Sequence, residues 1–152
     1  MVIMIQKWRQ LSGRDRCLFF QAFWGTGLIR CAVLFFPFWW IALFLGEEGT
    51  ESPDKLKVGE REKAFRIGRA IQKVSRYTPW ESKCLVQAVT GKLLLRRAKI
   101  DSTLYLGVKK SEQGKMTAHA WLRAGEIIVT GAQGEEGYTR ISCFGERKGV
   151  NK

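Results

Sequence analysis

The chain has 152 residues, 45% of them hydrophobic, which suffices for one domain-sized core and is too little for a second full domain. Of the formal net charge of +12, a net +8 lies within residues 59–100, where 11 Lys/Arg face 3 Asp/Glu, so the basicity is local and suits an anionic partner: a nucleic acid, an acidic peptide or an anionic membrane surface. One histidine and four scattered cysteines, Cys17, Cys31, Cys84 and Cys143, with no C-x-x-C pair, argue against a zinc ribbon, a thioredoxin-like site or any structural metal, and predict reduced cytosolic thiols.

Residues 17–45 are the most apolar stretch. Arg30 divides it, Pro37 interrupts the second part, and Gly25 and Gly27 precede the break, so it falls short of the roughly 20 uninterrupted apolar residues of a membrane span. Two apolar helices that pack on the domain or on a partner protein are the first expectation, membrane association the second, and a signal or anchor the third. The basic flank of Lys7, Arg9, Arg14 and Arg16 resembles a signal's n-region, but no small-residue cleavage site follows. The resulting division is an apolar helical segment at 1–46, a polar linker at 47–59, a catalytic-type domain at 60–145 and a basic tail at 146–152.

From Glu60 to Tyr77 a helix is predicted, with Ala64, Ile67, Ala70, Ile71 and Val74 as its buried stripe. Arg66, Arg69, Lys73 and Arg76 form a basic ridge, either a solvated surface or a docking site for an acidic peptide or partner. Pro79 ends this helix. A second one starts with Ser82 as N-cap, placing Cys84 at its second position and Leu85, Ala88, Val89 and Leu93 on its buried side. A helix start favours a thiolate through the dipole and the free first-turn N–H groups. Cys84 is therefore the candidate nucleophile, against the plainer reading of a small buried residue.

Ser102–Val108 reads as a buried strand and Lys109–Gly114 as a polar turn. Met116–Gly131 reads as a hairpin turning at Ala124-Gly125, with Cys143 beyond it in a Gly-containing tail. Counted outward from that turn, His119 faces Thr130. His119, Trp121 and Ile128 then share the face expected to meet the helix of Cys84. His119 is either a hydrogen-bonded strand histidine or the base that a cysteine nucleophile requires.

The segment PWESKCLVQAVTGKLLLRRAKIDSTLYLGVKK followed by AHAWLRAGEIIVTG resembles the leader peptidases of lasso-peptide biosynthesis, in the microcin J25 processing group. Pro79-Trp80, Cys84-Leu85, Gln87-Ala88, Arg96-Arg97 and Ala118-His119-Ala120-Trp121 carry the resemblance over residues 60–131. It implies an α+β, transglutaminase-like or papain-like cysteine protease core with an N-terminal apolar helical segment, Cys84 as nucleophile and His119 as base and then acid, without cofactor or metal. The family's acidic residue falls near Thr130 or Gly131. No Asp follows Asp101, so Thr130, placed opposite His119, is the expected orienting group, through its hydroxyl or a backbone carbonyl, unless a partner supplies a carboxylate. Trp80 and Trp121 are expected to contact substrate, and the Cys84 N–H to be an oxyanion donor. The resemblance is to the split form without a recognition domain. It implies a precursor peptide as substrate, a separate PqqD-like leader-recognition protein and an ATP-dependent lasso cyclase as partners, and a cytoplasmic location with or without membrane contact; no nucleic acid is expected. Rivals are an acyltransferase or amidase on the same two residues, and a non-catalytic basic adaptor for membrane or nucleic acid.

Overall fold

The computed structural model describes residues 9, 11–132 and 136–146. Most of the expected basic tail, 147–152, lies outside the described residues, as do residues 1–8.

Helix α1 runs from Gly13 to Phe35, capped by Ser12, whose hydroxyl accepts from the Asp15 N–H. The break expected at Arg30 is absent. The Arg30 side chain reaches off the apolar surface to pair with Glu81 at 3.0 Å, so the helix continues past its charge. Gly25 and Gly27 let neighbours approach: a Cβ on Gly25 would stand 2.9 Å from the Thr90 methyl, and one on Gly27 3.0 Å from the Trp80 ring. Pro37 ends the helix, and a five-residue helix α2, Phe38–Ala42, follows. Only Ala22 and Thr26 of α1 are buried. By length and composition α1 is apolar enough to cross a membrane, with a mean hydropathy of 1.5.

Helix α3, Glu60–Ser75, buries Ala64, Ile67, Ala70, Ile71 and Val74, as its periodicity predicts. Helix α4, Cys84–Arg97, is buried on more sides than one stripe allows, because α1 covers one flank while α3 and the sheet cover the others. Even Lys92 is buried; its ammonium donates to the Ser102 carbonyl at 2.7 Å and pairs with Glu146 at 3.2 Å.

Among the described residues five strands, β1 (Glu47–Glu48), β2 (Thr103–Lys110), β3 (Met116–Ala124), β4 (Ile127–Thr130) and β5 (Thr139–Gly145), form one antiparallel sheet in the order β1-β5-β2-β3-β4. The protein is thus an α+β domain with an N-terminal apolar helix. Residues 47–59, expected as a free linker, are tied to it: β1 pairs with β5, and buried Ser52 donates its N–H to the Thr103 hydroxyl at 2.7 Å. Cys143, expected in a tail, sits within β5 opposite Tyr105.

The β3–β4 hairpin departs from the counted register. Its turn is Gly125-Glu126, with Gly125 at φ 56°, and Ala124 pairs with Ile127. A bulge between Leu122 and Arg123 then shifts the pairing again, so Thr130 stands opposite Leu122 and not His119. The faces are reversed as well. Leu104, Ala120, Leu122 and Ala124 meet the helices in the core, while His119 and Trp121, both expected to face the Cys84 helix, lie on the opposite face of the strand, Trp121 stacked on Tyr105 at 5.5 Å.

Candidate active site

Cys84 is the first residue of α4. The N-cap is Lys83, one position later than expected, and no side chain caps the helix, so the first-turn N–H groups around Cys84 lack a side-chain acceptor. Ser82 is occupied elsewhere, its hydroxyl bonded to Thr78 at 2.9 Å, while Gln87 reaches back to donate to the Ser82 carbonyl at 2.7 Å. These contacts fix the turn that delivers Cys84. The thiol is half-buried against the core, whereas Cys17 and Cys31 are exposed on α1.

His119 comes from the middle of β3. Its Nε2 lies 2.9 Å from the Gly131 carbonyl oxygen. A carbonyl only accepts, so in the neutral ring Nε2 carries the hydrogen and Nδ1 is left as the basic nitrogen. The ring is held between Trp121, stacked at 6.0 Å and 19°, and Tyr138, at 5.2 Å and 41°. Gly131 reaches it with φ at 81°, in the left-handed region, passing so close to β3 that a Cβ there would lie 2.7 Å from the Ala120 carbonyl oxygen.

Cys84 and His119 line one cleft of about 530 Å³ between α3, the start of α4 and β4. The orienting bond expected of Thr130 is made by Gly131 instead. The Thr130 hydroxyl is buried without a hydrogen-bond partner, and its methyl points toward Gly91 of α4. No Asp or Glu lines the cleft among the described residues.

The two tryptophans do not line it either. Trp80 packs on Phe23 at 4.9 Å and donates its ring N–H to Thr26, so it pins α1 to the turn before Cys84. Trp121, 1% exposed, is buried beside the cleft and stacks on the His119 ring. The basic ridge divides. Arg69 and Arg76 line the cleft, whereas Arg66 bonds Asp15 at 3.1 Å and the Lys73 ammonium lies 5.9 Å from the Phe19 ring, both turned toward α1. Tyr138 is the addition that residue spacing did not single out, since a loop tyrosine carries no periodic signal; the Gly131 carbonyl is the backbone acceptor that stood beside the Thr130 hydroxyl as an expectation.

Residues 32–143 match the family model of the transglutaminase-like superfamily. The chain belongs to that superfamily. Its members are generally cysteine-based enzymes, and Cys84, His119 and Gly131 all fall inside the matched span. The same comparisons found no match among curated proteins and none among solved structures. Residues 13–31 of α1 precede the matched span, and with them exposed Phe20, Trp24 and Leu28, whereas exposed Trp39, Leu43 and Phe44 lie inside it.

Proposed function

We propose that this transglutaminase-like protein is a cysteine peptidase that removes the leader from a ribosomally made lasso-peptide precursor, working in the cytoplasm with a separate PqqD-like recognition protein and a lasso cyclase. The observation that carries the catalytic part is the shared cleft of Cys84, at an uncapped helix start, and His119, with one ring nitrogen already committed to Gly131. The lasso assignment is supported by the motif set around Pro79-Trp80, Cys84-Leu85 and Ala118-His119-Ala120-Trp121.

In this reading Nδ1 of His119 takes the Cys84 thiol proton, and the sulfur attacks the scissile carbonyl carbon. First-turn N–H groups of α4 hold the developing oxyanion. Collapse breaks the C–N bond as the imidazolium returns its proton to the leaving amine. Water, deprotonated by the same ring, then attacks the thioester and releases the carboxylate and the thiol. An acyl transfer to an amine uses the same first half and differs only in what replaces water. The adaptor rival, which binds membrane or nucleic acid through its charge, gains nothing from the paired cleft residues.

The docking surface for the recognition protein is the outer side of α1 and α2, where Phe20, Trp24, Leu28, Trp39, Leu43 and Phe44 are exposed together. The contacts of Arg30 with Glu81 and of Arg66 with Asp15 favour a helix docked on the domain over one withdrawn into a bilayer.

The test is to mix the purified chain with a lasso precursor and its recognition protein and to read products by mass spectrometry. Leader and core fragments are expected, and both disappear with Cys84→Ala and with His119→Ala. Cleavage that persists in either variant defeats the proposal.

A further inference from the structure

Helix α3, with its C-cap residue Arg76, presents two stripes. Ala64, Ile67, Ile71 and Val74 enter the core, while Phe65, Arg69, Gln72 and Arg76, at spacings of four, three and four, line the cleft of Cys84 and His119. Both arginines are exposed and, among the described residues, neither has a carboxylate partner. This distinguishes them from their neighbours, since Arg61 pairs with Glu126 at 3.0 Å and Arg66 with Asp15. The Arg69 guanidinium lies over Phe65, 5.7 Å from the ring centroid, which limits its swing. With no acidic residue in the lining, the cleft holds two uncompensated cations beside the nucleophile.

We propose that this cleft selects peptide segments carrying a carboxylate side chain close to the bond that Cys84 attacks, with Arg69 and Arg76 as the counter-ions that fix it. The inference rests on the peptidase reading for its substrate, and on the lining alone for its chemistry. Guanidinium forks bind carboxylates through two parallel N–H bonds, so they select a planar anion in a defined orientation. Positions 69 and 76 are two helical turns apart, about 10 Å along the axis, which an extended peptide covers in roughly three residues. One substrate carboxylate therefore meets one arginine, and the other remains for a second acidic residue or for steering the encounter.

Binding is measured with the full chain carrying Cys84→Ala, so that no turnover intervenes. The probes are two labelled pools of ten-residue synthetic peptides, identical except that each member has one Glu in the first pool and Gln in its place in the second. At low salt the Glu pool is expected to bind about tenfold tighter or more, the scale of a charge-assisted hydrogen bond. Arg69→Gln with Arg76→Gln removes that preference, and Arg61→Gln, which leaves the cleft untouched, preserves it. Equal binding of the two pools, no binding at millimolar peptide, or equal loss in the Arg61→Gln control overturns the inference. Cleavage of a lasso precursor by the unmodified chain with its recognition protein is scored separately: a Glu preference without that cleavage defeats the peptidase reading and leaves the anion-selective cleft, whereas cleavage without a preference does the reverse.

Discussion

His119 and Gly131 are joined by a ring-nitrogen to carbonyl hydrogen bond of 2.9 Å, so a backbone oxygen takes the orienting place expected of Thr130. A carbonyl orients the ring and selects its tautomer but adds only a partial negative charge. Gly131 is held to a positive φ of 81° with β3 packed against it, so Gly131→Ala must move that oxygen. The expected outcome is a fall in kcat of about tenfold or more with little change in KM, and a stability loss of about 1–3 kcal/mol from the strained backbone. Steady-state kinetics with a denaturant titration checks both; an unchanged kcat would mean that the carbonyl does not position the base.

Thr130 gives the opposite expectation. Its hydroxyl is buried and unpaired, so Thr130→Val removes an unsatisfied group and should leave stability unchanged or raise it by up to about 1 kcal/mol, with turnover within about twofold of the parent. Thr130→Asp, which introduces an acidic residue there, places a carboxylate against Gly91 rather than beside His119, and should destabilise by about 2 kcal/mol or more. A gain of activity in that variant would show that the loop can rearrange to bring position 130 to the imidazole.

Lys92 links stability to alkaline pH. Burial holds its ammonium below the ordinary value of 10.5, against the pull of Glu146, so the folded chain binds this proton less tightly than the unfolded chain does. Its contribution to stability therefore rises with pH from the lowered folded value up to 10.5. Urea midpoints measured at steps between pH 8 and pH 10 should climb more steeply in the parent than in Lys92→Met. Parallel slopes would place the proton elsewhere.

Asp15 acts at the other end of the scale. The hydrogen bond from the Arg66 guanidinium lowers its pKa below the ordinary 3.8, with the Ser12 hydroxyl assisting. The stabilisation is complete above 3.8 and is lost as pH falls through the lower folded value, and with it one tie between α1 and α3. Trp24 and Trp80 lie on or against α1, so tryptophan emission should report a loosening of that helix in acid. Asp15→Asn should lack the pH-dependent part of the change.

The parts of the fold written in apolar periodicity were legible: α3 with its stripe, α4 with Cys84 at its start, and the strands holding Leu104 and His119. What failed had physical causes that residue types conceal. Arg30 reads as a break, yet its long stem carries the charge to Glu81 and the helix continues. Moving the turn from Ala124-Gly125 to Gly125-Glu126, with the bulge at Leu122, sends each side chain of β4 to a different partner, which is how Thr130 left His119. Trp80 and Trp121, expected from the resemblance to contact substrate, are held in packing instead, one by α1 and one by the sheet.

The clasp between α1 and the turn at 78–83 makes the outer helix a lever. Trp80 grips Thr26 and Phe23, Glu81 grips Arg30, and three residues after Glu81 the chain reaches Cys84. A partner that seats on the apolar side of α1 therefore loads the same short segment that sets where the nucleophile's helix begins. Amide hydrogen exchange across residues 78–86 should slow when that partner binds, and a segment that exchanged at the same rate in both states would show the lever to be slack.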